Sequence, residues 1–341
     1  MELLHIFATA FNAVMPIIFL IALGYLLKQK GFLTDGFLQV GNKLVFKLML
    51  PCMLFISTYS IPSLADIRWD ITVYSSLAVV LIFCLSLFTA IRATPVPQRR
   101  GVILQCCFRS NFVIIGLPLA VSLGGSEAEA VAAVLSAVTV PLFNILAVIS
   151  LSIFVQRKES LGQTAKHVLH GILTNPLIMA VVIGLVCLLL RWVQTAIFSE
   201  VLFRLDTQAA FLFDAVKTLK SGTTALALMV LGGQFTFSAV KELKKEILAG
   251  TLWRIVLAPI IGIGGAVLLT NLGILSCTGA DYPALIALFG SPVAVSSAIM
   301  AKGMDGDEQL ATQLVVWTTL FSSITVFATV CLLMATGLIP T

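Results

Sequence analysis

The chain has 341 residues, 59% of them hydrophobic and 11% charged, with a mean hydropathy of +1.06. A soluble domain carries about 25% charged residues, so this composition describes an all-α polytopic membrane protein, and no large soluble domain is expected beside its spans within these residues. The net charge of +5 does not point to nucleic acid, because the basic residues fall in short loops, where they orient a membrane protein.

The length suits roughly ten spans of about 20 residues. The first is expected at about 7–27. It lacks a basic leader and is long enough to stay as a span. The second, about 40–60, contains Pro51 and Cys52, and a break is expected at the proline, read chiefly as a kink that lets crossing helices pack. The third is about 71–91. The fourth, about 101–123, carries Arg109, Ser110 and Asn111, then Gly116-Leu117-Pro118-Leu119-Ala120. The fifth, about 129–155, holds Pro141 and Asn144, which serve either packing or a cavity.

A cytoplasmic linker at 156–172 leads to the sixth span, about 173–190. Residues 205–220, with Phe211, Phe213, Asp214, Lys217 and Lys220, read as a separate amphipathic surface helix; a longer seventh span would also accommodate them. The seventh, about 221–239, is loosened by Gly232 and Gly233, and Gln234 is placed to reach a cavity. The eighth, about 248–270, contains Arg254, expected to snorkel to the cytoplasmic edge with Lys43 and Lys47. The ninth, about 282–301, contains Gly290-Ser291-Pro292-Val293-Ala294. The tenth is about 310–337.

Loop charges set the orientation. Lys28, Lys30, Lys43, Arg92, Arg99, Arg100, Arg157, Lys158, Lys166, Lys241, Lys244, Lys245 and Lys302 fall on one side, thirteen residues in all. Arg68, Arg191, Arg204, Lys217 and Lys220 fall on the other, five in all. The richer side is cytoplasmic, which puts both termini outside. Trp69, Tyr74, Trp192 and Tyr282 lie near the outer boundaries, as interfacial aromatics should.

The two Gly-x-Pro-x-Ala segments occupy the fourth span of each five-span half. An odd number of spans inverts the second copy relative to the first. Residues 1–155 and 173–341 therefore read as inverted repeats with broken helices 4 and 9. Broken backbone at membrane depth lines a cavity or pathway, because lipid satisfies none of the freed groups.

The charges near these breaks have one sign. All sixteen Asp and Glu residues fall in loops, at span edges or in the amphipathic stretch. This argues against a carboxylate proton relay and leaves coupling through backbone carbonyls and hydroxyls open. Arg109 lies well inside the fourth span. It either snorkels to the edge or attracts an anion, and a guanidinium pairs with a carboxylate in bidentate fashion. Asn111 either bonds backbone freed by the break or contacts substrate. Ser291, Ser296 and Ser297 either bond their own i−4 carbonyls or line the site. Half-helices starting at the breaks would add positive dipole ends. The candidate substrate residues are Arg109, Ser110, Asn111, Gly116 and Pro118 in the first half. In the second they are Gln234, Gly290, Ser291, Pro292 and Ser296.

The seven cysteines lack metal-ligand spacing and read as small apolar side chains. No metal or cofactor is expected. An integral-membrane enzyme would want clustered His, Asp or Glu. His167 and His170 lie in a loop without such a cluster and read as interfacial. The same spans could instead build an anion channel, marked by current beyond carrier turnover, or a non-transporting membrane sensor, marked by binding without flux.

Asn111 followed by Gly116-Leu117-Pro118-Leu119 resembles the fourth-span motif of the auxin efflux carrier family, which includes plant PIN-type carriers and bacterial permeases for malate and malonate. The run from Pro292 to Ala301-Lys302 resembles its ninth-span motif, and Asn42 to Pro51 its second span. The resemblance covers essentially the whole chain. It implies substrate at the crossing of helices 4 and 9, a scaffold of spans 1, 2, 6 and 7, and a transport domain of spans 3–5 and 8–10. It also implies elevator-type movement and a homodimer. The short loop between spans five and six fits a compact bacterial permease of the inner membrane, surrounded by lipid and taking a small organic anion.

Overall fold

Long apolar runs with few breakers fold as helices, since a helix satisfies its backbone internally. The computed structural model describes residues 2–60, 68–154, 174, 176–198 and 203–339, with only the backbone described for 2–14 and at 17, 57, 118, 126 and 137. The expected linker 156–172, with Arg157, Lys158, Lys166, His167 and His170, lies outside the described residues.

The first half runs α1 (Glu2–Gln29), α2 (Asp35–Leu44), α3 (Leu50–Tyr59), α4 (Trp69–Ala93), α5 (Pro97–Phe108) and α6 (Leu117–Ser152). Helix α6 turns at Gly124 and Gly125, and Gly125 adopts φ +63°, a conformation that favours glycine. The second half runs α7 (Pro176–Phe198), α8 (Leu205–Gln208), α9 (Ala210–Gln234), α10 (Ser238–Glu242), α11 (Lys244–Leu252), α12 (Gly265–Asn271), α13 (Asp281–Gly290), α14 (Ser296–Gly303) and α15 (Glu308–Ala335). Among the described residues, six helical stretches are long and apolar enough to cross a membrane: Asp35–Ile56, Trp69–Ala93, Glu127–Ser152, Pro176–Phe198, Lys244–Asn271 and Glu308–Ala335.

These helices are turned for lipid. On α4, Ile71, Ser75, Val79, Ile82, Ser86 and Ala90 are buried, while Val73, Leu77, Leu81, Leu85 and Phe88 are exposed. The inward stripe recurs every three to four residues and mixes small with polar side chains. The outward stripe is large and apolar. Water would not tolerate so continuous an apolar surface, so the protein is integral to the membrane.

Two expectations need correction. Residues 205–220 do not form a separate surface helix. Only the short α8 stands apart, and the chain then runs without interruption through α9. Nothing near Lys220 breaks the ladder, since Gly222 remains helical. Nor does Pro51 break its span. Pro51, Pro118 and Pro259 each follow a π-helical turn, at Val45–Met49, Phe112–Gly116 and Trp253–Leu257. In each case the N–H just before the proline reaches back five residues, to Val45, Phe112 or Trp253. Proline lacks a donor and crowds the carbonyl four residues back; the wider turn accommodates both defects.

Glycine sets the closest helix contact. A Cβ on Gly232 would lie 2.0 Å from the Ile21 carbonyl oxygen, and one on Gly24 would lie 2.2 Å from that of Met229. These glycines bring α1 and α9 backbone to backbone, as small residues do between membrane helices. Their role is close packing of the two helices.

Ion pairs fasten helix starts on two sets of elements. Arg68, ahead of α4, bonds fully buried Asp281 at 2.9 Å. Arg99 on α5 bonds Asp307 at 2.9 Å and Glu246 at 3.2 Å. Gly232→Ala should lower the melting temperature of the purified protein by several degrees, since overpacking costs roughly 1–3 kcal/mol. Gly264→Ala, whose Cβ would meet nothing within 4 Å, should leave it unchanged.

Candidate functional site

Two helices stop within the buried interior and restart after a short extended stretch. Helix α5 ends at Phe108, Arg109 turns extended (φ −80°, ψ 105°), and helical structure resumes at Phe112. Helix α13 ends at Gly290, Ser291 turns extended (φ −64°, ψ 149°), and α14 begins at Ser296. The first break therefore precedes Gly116 and Pro118 instead of falling at them. Pro118 sits in the first turn of α6, where a missing N–H forfeits little.

The two gaps satisfy each other. Ser110 and Val293 pair as an antiparallel bridge. The Asn111 N–H donates to the Pro292 carbonyl at 2.8 Å, and the Ala294 N–H donates to the Arg109 carbonyl at 3.2 Å. The Val293 N–H donates to Thr318 Oγ1 of α15 at 3.1 Å, and Gln105 Nε2 donates to the Ser297 carbonyl at 3.1 Å. Gly116 permits the approach, since a Cβ there would sit 2.7 Å from the Ala287 carbonyl oxygen.

The carbonyl ends of both broken helices meet one side chain. Arg254, fully buried, donates through one terminal nitrogen to the Phe108 carbonyl at 2.9 Å and the Cys107 carbonyl at 3.5 Å. Its other terminal nitrogen donates to the carbonyls of Leu288, at 3.2 Å, and Phe289. Helix C-termini leave unpaired carbonyls carrying partial negative charge, and a planar guanidinium serves two such ends at once. Arg254 does not snorkel, contrary to the sequence expectation.

Arg109 is also buried, at 4% exposure. It donates to Asn144 Oδ1 at 2.7 Å and to the Met300 sulfur. Asn144 is oriented in turn by donating to the Val140 carbonyl at 2.8 Å. Thus Arg109 reaches neutral partners. Asn111 Nδ2 and Ser110 Oγ are buried without a hydrogen-bond partner among the described residues.

These groups open onto a cavity of about 60 Å³, space for a handful of water-sized groups at roughly 10–15 Å³ each. One wall carries Arg109, Ser110, Asn111 and Asn144 with Phe112, Val113, Ile114, Val140, Phe143 and Ala294–Ser296. The other carries Leu50, Met53 and Leu54 of α3, Leu177 of α7, and Thr223, Thr224 and Ala227 of α9. Among the described residues, the walls hold Arg109 and no Asp, Glu or His. The first residues of the half-helices at Phe112 and Ser296 lie on the wall, where the leading N–H groups of a helix have no partner within it.

The sequence candidates divide accordingly. Arg109, Ser110, Asn111 and Ser296 line the cavity. Gly116 and Pro292 build the crossing without lining it. The side chain of Pro118 is outside what is described. Ser291 turns away to donate to the Ala287 carbonyl at 2.6 Å, and Gly290 packs near Val326. Gln234 does not line the cavity; it ends α9, roughly 10 Å along the helix axis from Ala227 at 1.5 Å per residue. Sequence reading missed Arg254, Thr223 and Thr224, and left Asn144 undecided. The depth of Arg254 within its span and the adjacent polar pair at Thr223–Thr224 were the available signals.

Comparison with known proteins agrees with this class. The profile of the family described as "Membrane transport protein" matches residues 9–330, nearly the whole chain. Protein PIN-LIKES 7 of Arabidopsis thaliana is 27% identical over 184 residues, covering 52% of this chain and 45% of that protein. The aligned stretch thus spans less than half of that relative.

Thr318→Val, which keeps the shape and removes the acceptor of the Val293 N–H, should destabilise the fold by roughly 1–3 kcal/mol. A thermal melt of the purified variant measures this; an unchanged melt would show that the second break does not need α15.

Proposed function

This chain belongs to the auxin efflux carrier family of membrane transport proteins, and from that premise we propose that it is a secondary carrier of small organic anions. The substrate class is a carboxylate or dicarboxylate of the malate or malonate type. The observation that carries this reading is Arg109: a buried guanidinium at a cavity wall whose bonded side chains are an amide and a thioether. A thioether is a weak acceptor, and a carboxylate oxygen would displace it for a charge-assisted bond.

In this reading Arg109 binds the carboxylate, and the Asn111 amide and Ser110 hydroxyl, unpaired among the described residues, orient it. Ser296 and the two half-helix starts supply further donors. Asn144 holds Arg109 in place. Gly116, Pro118 and Pro292 shape the crossing.

The architecture of the reading is ten spans in two inverted repeats, residues 1–155 and 173–341, joined by the linker 156–172. Spans 1, 2, 6 and 7 form the scaffold; spans 3–5 and 8–10 form the transport domain. The division of the cavity walls supports it. Leu50, Met53, Leu54, Leu177, Thr223, Thr224 and Ala227 come from scaffold elements, and the polar wall comes from transport elements. A substrate held on the wall with Arg109 would move with it past the wall from α3, α7 and α9, which is elevator-type alternating access. The reading places the protein in a bacterial inner membrane with both termini outside, in contact with lipid and as a homodimer; these features rest on loop charges and on the family resemblance.

Uptake of radiolabelled malonate and malate into proteoliposomes tests the reading. Arg109→Gln should lower uptake roughly tenfold to hundredfold, as expected for the loss of a charge-assisted bond worth about 1.5–3 kcal/mol. Arg109→Lys should recover only part of it, because an ammonium lacks the planar fork. Gln234→Ala should match the parent. Unchanged uptake in Arg109→Gln removes Arg109 from the site. Currents faster than carrier turnover would favour an anion channel, and binding without flux a sensor.

A further inference from the structure

A carrier of anions needs a way to balance charge, and the residues around the crossing restrict how. Two sources of a cation site are ordinarily available at membrane depth: a carboxylate or a cluster of unpaired carbonyls. Among the described residues, the cavity wall holds no carboxylate. Buried Asp281 and Glu246 are engaged by Arg68 and Arg99 near helix starts.

The carbonyls exist. Two helices end side by side in the interior, and the carbonyls of Cys107, Phe108, Leu288 and Phe289 converge from both. Each helix C-terminus carries about half a negative charge, so two together amount to about one. Four converging main-chain oxygens with one negative charge between them make a site for a monovalent cation. The guanidinium of Arg254 fills it, and among the described residues its hydrogen bonds run to these carbonyls. Its charge belongs to the chain and cannot dissociate.

We propose that Arg254 is a tethered cation occupying a carbonyl site that would otherwise take a free monovalent ion, so that the transport cycle runs without sodium or another metal cation bound at the crossing. The proposal rests on the carrier reading for its transport half; its structural half stands apart. Removing the side chain would uncover the four carbonyls and create dependence on an added cation. Arg254 touches neither substrate nor cavity wall and acts by positioning the two breaks.

The test has two arms. In proteoliposomes, malonate uptake by the parent protein should be unchanged when sodium and potassium are replaced by N-methyl-D-glucamine. Uptake that requires sodium overturns the proposal. In detergent, Arg254→Ala should melt several degrees below the parent, and millimolar guanidinium chloride or sodium chloride should restore part of that loss. Urea, the neutral molecule of similar shape, should not. A melt indifferent to guanidinium and sodium, or equal to the parent's, overturns the proposal. Arg254→Lys keeps a charge without the fork and should melt between the two; if Arg254→Ala does not accumulate, Arg254→Lys and the parent's ion replacement decide. Absence of malonate and malate uptake under every condition, with cation rescue of the melt intact, would refute the carrier reading and leave the cation site standing.

Discussion

Backbone groups freed inside a membrane have no water to turn to, and this constraint organises the centre of the molecule. Each of two helices stops partway through the interior, and each stop releases carbonyls on one side and N–H groups on the other. The carbonyls of both converge on Arg254. The extended residues between bond each other through Asn111, Pro292, Arg109 and Ala294. Neither break would be tolerable alone. Paired, they share one guanidinium and one short ladder.

The leftover groups are the ones that face the cavity. Once Arg254 has taken the negative ends, the helix starts at Phe112 and Ser296 remain, with Arg109 beside them. Donors without a carboxylate among the described lining residues are the basis of the proposed anion preference. Asn144 and Met300 hold Arg109 without neutralising it. The same residues thus link fold to chemistry: the breaks stabilise each other, and what they leave unsatisfied defines what can bind.

The sequence revealed the place of this arrangement better than its geometry. The two Gly-x-Pro-x-Ala segments, at 116–120 and 290–294, marked the neighbourhood of both breaks. The first break nevertheless lies ahead of its motif, at Arg109–Asn111, since Pro118 falls in the first turn of the following helix. Pro51 looked equivalent and only widens a turn. Sequence position set Arg109 apart as deep and left Arg254 snorkelling from a cytoplasmic end, yet both are buried. Which one meets carbonyls and which meets a cavity depends on how α11 and the following π turn pack against α5 and α13, and this is a long-range fact. The 205–220 segment misled for a local reason: its charges resemble a surface helix, yet no breaker separates it from the apolar run that follows. Gln234 was drawn to the site by polarity alone and stands beyond it at the end of α9.

The central claim is that a small carboxylate binds where the two broken helices cross. A density map of the protein saturated with malonate tests it most directly. The account predicts carboxylate density within hydrogen-bond reach of the Arg109 guanidinium, flanked by Asn111 and Ser296, with the Met300 contact displaced. Malonate bound against another part of the chain, with Arg109 still on Met300 and the cavity empty of ligand, would contradict it.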